Sequence, residues 1–310
     1  MNMHFLSAMP IILFFSVGMS LKKLHFFHPR TIEDIKKFVL HISVPALLFR
    51  AFLTISIEIE YLLLIPVIFL MAAVMVPVGT LVAKILKIKS PYFPLLMTGF
   101  EMSMFGYALF ISLYGIDNLG TLVFLTIGQT IYTFTFLMSS LTTIRDGRQS
   151  RTKSLKRFVT SPIILAIALG LFIGSIVPSI EQYVIFPILN EIFMLVGPTL
   201  SVPIITMLIG YDIVLKREGL AISLITIGTR KLFLTIFALL INHYIIDGLL
   251  GMDAIYRHAM MVMVLAPSTF LHSMVIPSHD RKNYEYVNRT LSLDCIISIF
   301  VIVFVSMVYV

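Results

Sequence analysis

Charged residues and cysteine are scarce in this chain of 310 residues. Only 13% of the residues are charged and 58% are hydrophobic, whereas a soluble domain carries about 25% charged and about 45–50% apolar residues. This composition leaves too little polar surface for a water-soluble fold, which excludes a soluble enzyme and a receptor with a folded ectodomain. The single cysteine, Cys295, cannot form an intrachain disulfide, so thiolate metal sites and dithiol redox chemistry are excluded as well.

Catalytic motifs are lacking too. The sequence contains no HExxH, no GxSxG nucleophile turn and no GxxxxGK[ST] phosphate loop, so a membrane-embedded enzyme and an ATP-driven pump are both disfavoured. We therefore predict no enzymatic activity, no metal and no cofactor other than a coupling proton or sodium ion. The net charge of +7 does not indicate nucleic acid, because most of the basic residues lie in one set of loops, as membrane insertion requires.

Long apolar runs dominate what is present. In lipid every backbone polar group must be paired, so each run of about 20 apolar residues predicts a membrane-spanning helix. Ten such segments are predicted, at residues 4–21, 38–57, 61–83, 92–114, 119–143, 158–177, 188–214, 220–241, 257–276 and 291–310.

The basic residues predict the orientation of these segments. Five alternate loops hold 19 of the 23 Lys and Arg residues, and the intervening loops hold none. Because cytoplasmic loops retain positive charge, we expect a multi-pass protein of the plasma (inner) membrane with both termini outside. The lipid bilayer is thus an expected partner, nucleic acid is not, and a homodimer remains an open alternative.

The longest basic loop divides the chain into two halves of five segments. The predicted division is residues 1–143, a basic cytoplasmic linker at 144–157, and residues 158–310. Ser161 to Leu165 (SPIIL) echoes Met9 to Leu13 (MPIIL), and Pro203 echoes Pro45. An odd number of helices per repeat inverts the second half, so we expect two inverted five-helix repeats.

The fourth and ninth segments are the most interrupted. Gly99 and Gly106 flank Glu101 in the fourth, and Pro267 lies centrally in the ninth. Transporters with inverted repeats bind substrate where such helices are broken near the bilayer midplane. We predict that the fourth and ninth helices are broken and cross, with structural breaks at Pro45, Gly99, Gly106, Pro203 and Pro267.

Four stretches carry a family resemblance that covers nearly the whole chain: FVLHISVPALLF (38–49), GFEMSMFGYALF (99–110), SPIILAIALGLFIG (161–174) and LAPSTFLHSMVIP (265–277). In their order and spacing the chain resembles the auxin efflux carrier family of secondary transporters, whose fold is similar to that of the bile-acid symporters. The resemblance implies ten helices in inverted repeats with crossing, broken fourth and ninth helices. Glu101 departs from the family, whose members commonly carry asparagine there.

Polar residues at the expected crossing are the candidate site. The predicted substrate-binding residues are Glu101, Gly106, Tyr107, Gln129, Pro267, Ser268, Thr269 and His272. Glu101 and Asp294 are the candidates for coupling, because a carboxylate at membrane depth costs about 3 kcal/mol unless it faces a cavity or a partner. Structural alternatives stay open: a hydrogen-bonded Glu101, a His272 satisfied by a backbone carbonyl, helix capping by Ser268 and Thr269, and an Asp294 near the surface.

Three further basic residues fall inside predicted helices. Arg50 either supplies countercharge to an anion or reaches the outer interface. Arg230 and Lys231 are central if the eighth helix is 220–241, but lie at the cytoplasmic edge if it is 230–250. The second register is favoured, because it places both charges in polar surroundings.

These features together predict a secondary transporter of a small organic anion, a carboxylate or an auxin-like molecule, that works by alternating access at a midplane crossover. A channel or a membrane-embedded solute sensor is the alternative, since either would also accept ten helices.

Overall fold

The computed structural model describes residues 3–53, 62–146, 160–177, 182–183, 185–213, 218–276 and 280–309. Within these ranges the chain is helical and contains no strand. The first half contains α1 (Met3–Lys23), α2 (Pro29–Phe38), α3 (Val44–Leu53), α4 (Leu64–Ile85), α5 (Phe93–Leu96), α6 (Tyr107–Tyr114), α7 (Leu119–Tyr132) and α8 (Met138–Asp146). The second contains α9 (Pro162–Ile176), α10 (Phe186–Met194), α11 (Leu200–Asp212), α12 (Leu220–Ile241), α13 (Ala254–Leu265), α14 (Leu271–Val275) and α15 (Arg281–Val308).

Five continuous helical stretches in the described residues are long and apolar enough to cross a membrane: Leu64–Ile85, Leu119–Arg145, Phe186–Tyr211, Leu220–Asp247 and Arg281–Val308. They coincide with the third, fifth, seventh, eighth and tenth predicted segments. The shorter apolar helices Pro162–Ile176 and Ala254–Leu265 fall in the sixth and ninth segments. The all-helical class is therefore confirmed, and the count of ten spans stays a prediction.

Two of the residues predicted to break a helix, Pro45 and Pro203, lie within continuous helical stretches. Pro45 follows a π-helical turn at Val39–Ser43, and Pro203 follows another at Leu195–Thr199. Proline lacks the N–H that a helical hydrogen bond requires, and a π-helical turn is one way in which a helix accommodates such a defect. These two prolines therefore distort their helices without opening them.

The chain divides into two compact units. Unit 1 comprises Met1–Glu58, Ser103–Phe124 and Phe158–Asp212, and unit 2 comprises Ile59–Met102, Leu125–Arg157 and Ile213–Val310. Each unit draws on both halves of the sequence. The predicted repeat division at 1–143 and 158–310 stays a prediction, and residues 147–157 of its linker lie outside the described residues.

Unit 1 is built on two close helix crossings, α1 with α11 and α9 with α3. Glycines let the backbones approach at both crossings, as small residues do in membrane helix packing. A Cβ added at Gly18 would overlap the Met207 carbonyl, and one at Gly170 would come within 2.7 Å of the Phe49 carbonyl oxygen.

In unit 2, α12 packs against both α13 and α15. Helix α12 begins at the left-handed residue Gly219 and runs without a break to Ile241, continuing as a π-helical turn to Asp247. The predicted preference for a helix over 230–250 is therefore wrong. The helix starts ten residues earlier, which places Arg230 and Lys231 in its middle.

Candidate functional site

Two non-helical segments meet in unit 2. The first is residues 97–101, between α5 and the π-helical turn Met102–Gly106, and the second is residues 266–270, between α13 and α14. We call the two segments together the crossover. The Glu101 N–H donates to the Pro267 carbonyl at 2.8 Å, and the Ser268 hydroxyl donates to the Thr98 carbonyl at 3.1 Å. Polar groups of the two non-helical segments are thus paired with each other in place of partners in a helix.

Local sequence explains why both helices open here. Gly99 has a φ of +69°, a conformation that glycine adopts without the strain imposed by a Cβ. In the second segment Pro267 cannot donate a helical hydrogen bond, and Ala266 before it is extended, with ψ of 153°, as the residue before a proline tends to be. Carbonyl groups on both sides are left without helical partners.

Arg230 satisfies the carbonyls of both segments. Its Nη2 donates to the Gly99 carbonyl at 2.8 Å and its Nη1 to the Ala266 carbonyl at 2.7 Å. The guanidinium also lies 5.3 Å from the centre of the Phe100 ring, and Arg230 is only 1% exposed. One side chain from α12 therefore bridges the two segments of the crossover.

Lys231 and Asp294 form a buried ion pair next to this bridge. The Lys231 ammonium donates to Asp294 Oδ1 and to Ser298 Oγ, both at 2.8 Å, and to the Leu265 carbonyl at 2.7 Å. The other carboxylate oxygen of Asp294 accepts from the Ser268 N–H at 3.2 Å and lies 3.8 Å from Arg230 Nη1. Asp294 is 1% exposed, so it is not the near-surface residue of the structural alternative.

Glu101 binds the second segment of the crossover. Its Oε2 accepts a hydrogen bond from the Phe270 N–H at 2.9 Å and one from the Thr269 hydroxyl at 3.3 Å. Glu101 and Thr269 are both buried. A carboxylate is therefore held at the crossing by one backbone donor and one hydroxyl donor.

Gln129 and His272 complete the polar cluster. The Gln129 amide donates to the Phe100 carbonyl at 2.9 Å, and its oxygen accepts from the Thr133 hydroxyl at 2.6 Å. His272 is fully buried, with Nδ1 2.8 Å from the Thr269 carbonyl oxygen and 3.5 Å from Ser268 Oγ. The carbonyl contact satisfies Nδ1 only, because Nε2 is buried without a hydrogen-bond partner among the described residues.

The charges of the cluster nearly cancel. Arg230 and Lys231 are positive, Asp294 is negative, and Glu101 adds a second negative charge when it is ionised. With Glu101 protonated the cluster carries one net positive charge. An anion entering beside protonated Glu101 would therefore be balanced, whereas one entering beside ionised Glu101 would face a second carboxylate.

Six of the predicted substrate-binding residues come together at the crossover: Glu101, Gln129, Pro267, Ser268, Thr269 and His272. Asp294, predicted for coupling, lies with them. Gly106 and Tyr107 belong to unit 1. Gly106, predicted as a break, has helical backbone angles of −62° and −46°, because the chain has already regained helical hydrogen bonding after Glu101. Arg50 is also in unit 1, where its Nε donates to Asn190 Oδ1 at 2.7 Å.

Arg230 and Lys231 are the site residues that sequence reasoning missed. Because charges need polar surroundings, the sequence predicts both at the cytoplasmic edge of the membrane. The structure supplies those surroundings internally, from carbonyls released by the two breaks and from Asp294. An adjacent Arg-Lys pair in the middle of an apolar helix, matched by an aspartate in another apolar helix, is the signal that could have indicated them.

No cluster of three or more His, Cys, Asp or Glu side chains suited to a metal occurs among the described residues. Comparison of the chain with protein-family models and with curated protein sequences finds no match.

Proposed function

We propose that the chain is a secondary transporter of a small organic anion bearing a carboxylate, and a member of the auxin efflux carrier family that its sequence resembles. The observation that carries the proposal is the position of Glu101. Its carboxylate accepts from the Phe270 N–H and the Thr269 hydroxyl at the crossing of two broken helices. These donors already bind a carboxylate, so they suit the carboxylate of a substrate.

Exchange of these two carboxylates gives a coupling mechanism. Protonation of Glu101 removes its negative charge and weakens its hold on the two donors, since hydrogen bonds to a charged acceptor are roughly twice as strong as neutral ones. A substrate carboxylate then replaces it and is balanced by the net positive charge of Arg230, Lys231 and Asp294. Substrate and proton enter together, and alternating access releases both on the other side.

The helix contacts of unit 1 support the inverted repeat. The motif echoes relate the first helices of the two halves by an offset of 152 and the second helices by 158. The offset of 152 makes Gly170 the equivalent of Gly18. Gly18 approaches the Met207 carbonyl and the Tyr211 amide, while Gly170 approaches the Phe49 carbonyl and the Leu53 amide. The offset of 158 relates Phe49 to Met207 and Leu53 to Tyr211, which are the residues that the two glycines approach.

The same contact is therefore made twice, once with each half supplying the glycine. Such reciprocity is what a pseudo-two-fold axis between repeats requires. With the basic loops on one side, we infer ten spans in the plasma membrane and both termini outside.

Flux and binding by purified protein test the function. In proteoliposomes, saturable and gradient-coupled uptake of a labelled carboxylate supports the carrier, fast passive flux indicates a channel, and binding without flux indicates a sensor. Candidate mono- and dicarboxylates can first be ranked by thermal shift, because a ligand at 100 times its dissociation constant stabilises the fold by about 2.7 kcal/mol.

A matched pair of threonine variants locates the binding site. Thr269→Val removes the hydroxyl that faces Glu101 and should weaken carboxylate binding about tenfold, the effect of losing one hydrogen bond to a charged group. Thr130→Val removes a hydroxyl that donates to the Thr126 carbonyl of its own helix, and should leave affinity unchanged. Equal affinities in the two variants would place the substrate elsewhere.

A further inference from the structure

A cavity lined by several charged residues lies in unit 2, away from the crossover. It has a volume of about 830 Å³, within the range of cavities that hold small-molecule ligands. Its wall is formed by the chain after α4, the start of α12 and the start of α15. The charged residues that line it are Lys87, Lys89, Lys282, Arg289, Glu218 and Glu285.

Arg289 is the unusual member of this set. It is only 7% exposed, and its Nε is buried without a hydrogen-bond partner among the described residues. A guanidinium is always charged and has five N–H donors, so burying it without an acceptor is costly. The nearby carboxylate of Glu285 accepts instead from Arg281 at 3.1 Å. A buried cation with unused donors therefore faces the cavity.

The start of α12 adds a second set of donors. Gly219 precedes this helix of 22 residues, no side chain caps it, and its first turn contains no acidic residue. Among the described residues no side chain accepts from its first N–H groups, which carry the positive end of the helix dipole. Gly219 itself lies against Arg289, because a Cβ there would overlap Nη1. The guanidinium and the helix terminus thus converge on one place.

From this convergence we infer an anion-binding site for a phosphate group, carried by a lipid headgroup or by a soluble organophosphate. Three features suit phosphate. Arginine forms paired, charge-assisted hydrogen bonds with it, uncapped helix N-termini bind it, and Lys87, Lys89 and Lys282 supply additional positive charge. Ser90 donates to Asn283 at 2.7 Å, which ties the lysine-bearing loop to α15 and keeps the walls of the cavity together.

Binding to the purified full chain in detergent tests the site. The probes are dioctanoyl phosphatidylglycerol, dioctanoylglycerol as its phosphate-free counterpart, glycerol 3-phosphate and inorganic phosphate. We expect phosphatidylglycerol or glycerol 3-phosphate to bind and dioctanoylglycerol not to. Tighter binding of phosphatidylglycerol identifies a lipid site, and tighter binding of glycerol 3-phosphate a soluble ligand. Equal binding of phosphatidylglycerol and dioctanoylglycerol would overturn the proposal.

Variants assign the binding to the cavity. Arg289→Gln should weaken binding of the phosphate probe at least about tenfold, as expected for loss of a charged hydrogen-bonding partner, and Arg289→Lys should recover part of it. Lys282→Gln, at an exposed lining residue, gives a second test that does not disturb the interior and should weaken binding about threefold. Arg281→Gln is the control, because Arg281 is 83% exposed and does not line the cavity. Unchanged affinity in both Arg289→Gln and Lys282→Gln would contradict the site whether or not the chain transports anions.

Discussion

Replacing Asp294 by asparagine removes the carboxylate that both Lys231 and Arg230 face while keeping the shape of the side chain. The pair is buried, with 2.8 Å between Lys231 Nζ and Asp294 Oδ1. Breaking a buried pair on one side costs about 3–5 kcal/mol, because the remaining charge is left uncompensated. Since asparagine retains one oxygen for Ser268 or Lys231, we expect Asp294→Asn to destabilise the protein by about 3 kcal/mol, at the lower end of this range.

Cys295 provides the assay. It is the sole cysteine and is 1% exposed, so a thiol-reactive dye reports unfolding in a chain that has no tryptophan. Far-UV circular dichroism, recorded in parallel, separates global unfolding from local opening beside residue 294. Arg257→Gln is the control, because it breaks a partly exposed pair with Asp247 at 3.3 Å and should cost at most about 1 kcal/mol.

A double-variant cycle then isolates the interaction. Adding Lys231→Met to Asp294→Asn removes the orphaned ammonium, so the double variant should be more stable than the sum of the single changes predicts, by about 1–3 kcal/mol. If Asp294→Asn costs no more than Arg257→Gln, or if the two changes are additive, the buried ion pair does not hold the crossover together.

Two further predictions concern the crossover backbone and the orientation. Gly99→Ala should destabilise the protein by about 1–3 kcal/mol and abolish transport, because alanine is strained at this positive φ and its Cβ would come within 2.9 Å of the Leu137 and Thr269 side chains. The control is Gly251→Ala, at a residue with φ of +56° and no atom within 4 Å of the added Cβ. This variant should show the effect of backbone strain alone and keep transport. In a Cys295→Ser background, cysteine at the exposed residue Asp117 should react with an impermeant reagent from outside the cell and cysteine at Lys89 should not; the reverse pattern would overturn the proposed orientation.

The two non-helical segments of the crossover were predictable because each contains a residue type that favours a non-helical backbone. Gly99 and Pro267 stand out in apolar segments because glycine permits, and proline imposes, a conformation unlike a helix. Gly106 shows the limit of that reasoning. A glycine can occupy a helix whenever its neighbours pack well, so the residue type alone does not say which of two glycines opens the chain.

The roles of Arg230 and Lys231 were not predictable in the same way. Their partners are carbonyls that become available only after two distant segments have opened, together with Asp294, 63 residues further along the chain. Insertion cost correctly indicated that both charges need polar surroundings, but it does not distinguish an aqueous edge from a polar interior. Arg289, whose Nε has no hydrogen-bond partner among the described residues, likewise becomes noticeable only once its burial and its neighbours are known.

The pH dependence of uptake by wild-type protein and by Glu101→Gln tests the central claim most directly. If the Glu101 carboxylate exchanges with substrate on protonation, wild-type proteoliposomes should accumulate a labelled carboxylate faster as the external pH falls. Glu101→Gln, which resembles the protonated form, should still bind and exchange substrate but lose both the pH dependence and accumulation against a gradient, while His272→Gln should keep both. Concentrative uptake by Glu101→Gln with an unchanged pH profile would contradict the account and leave Glu101 a structural residue.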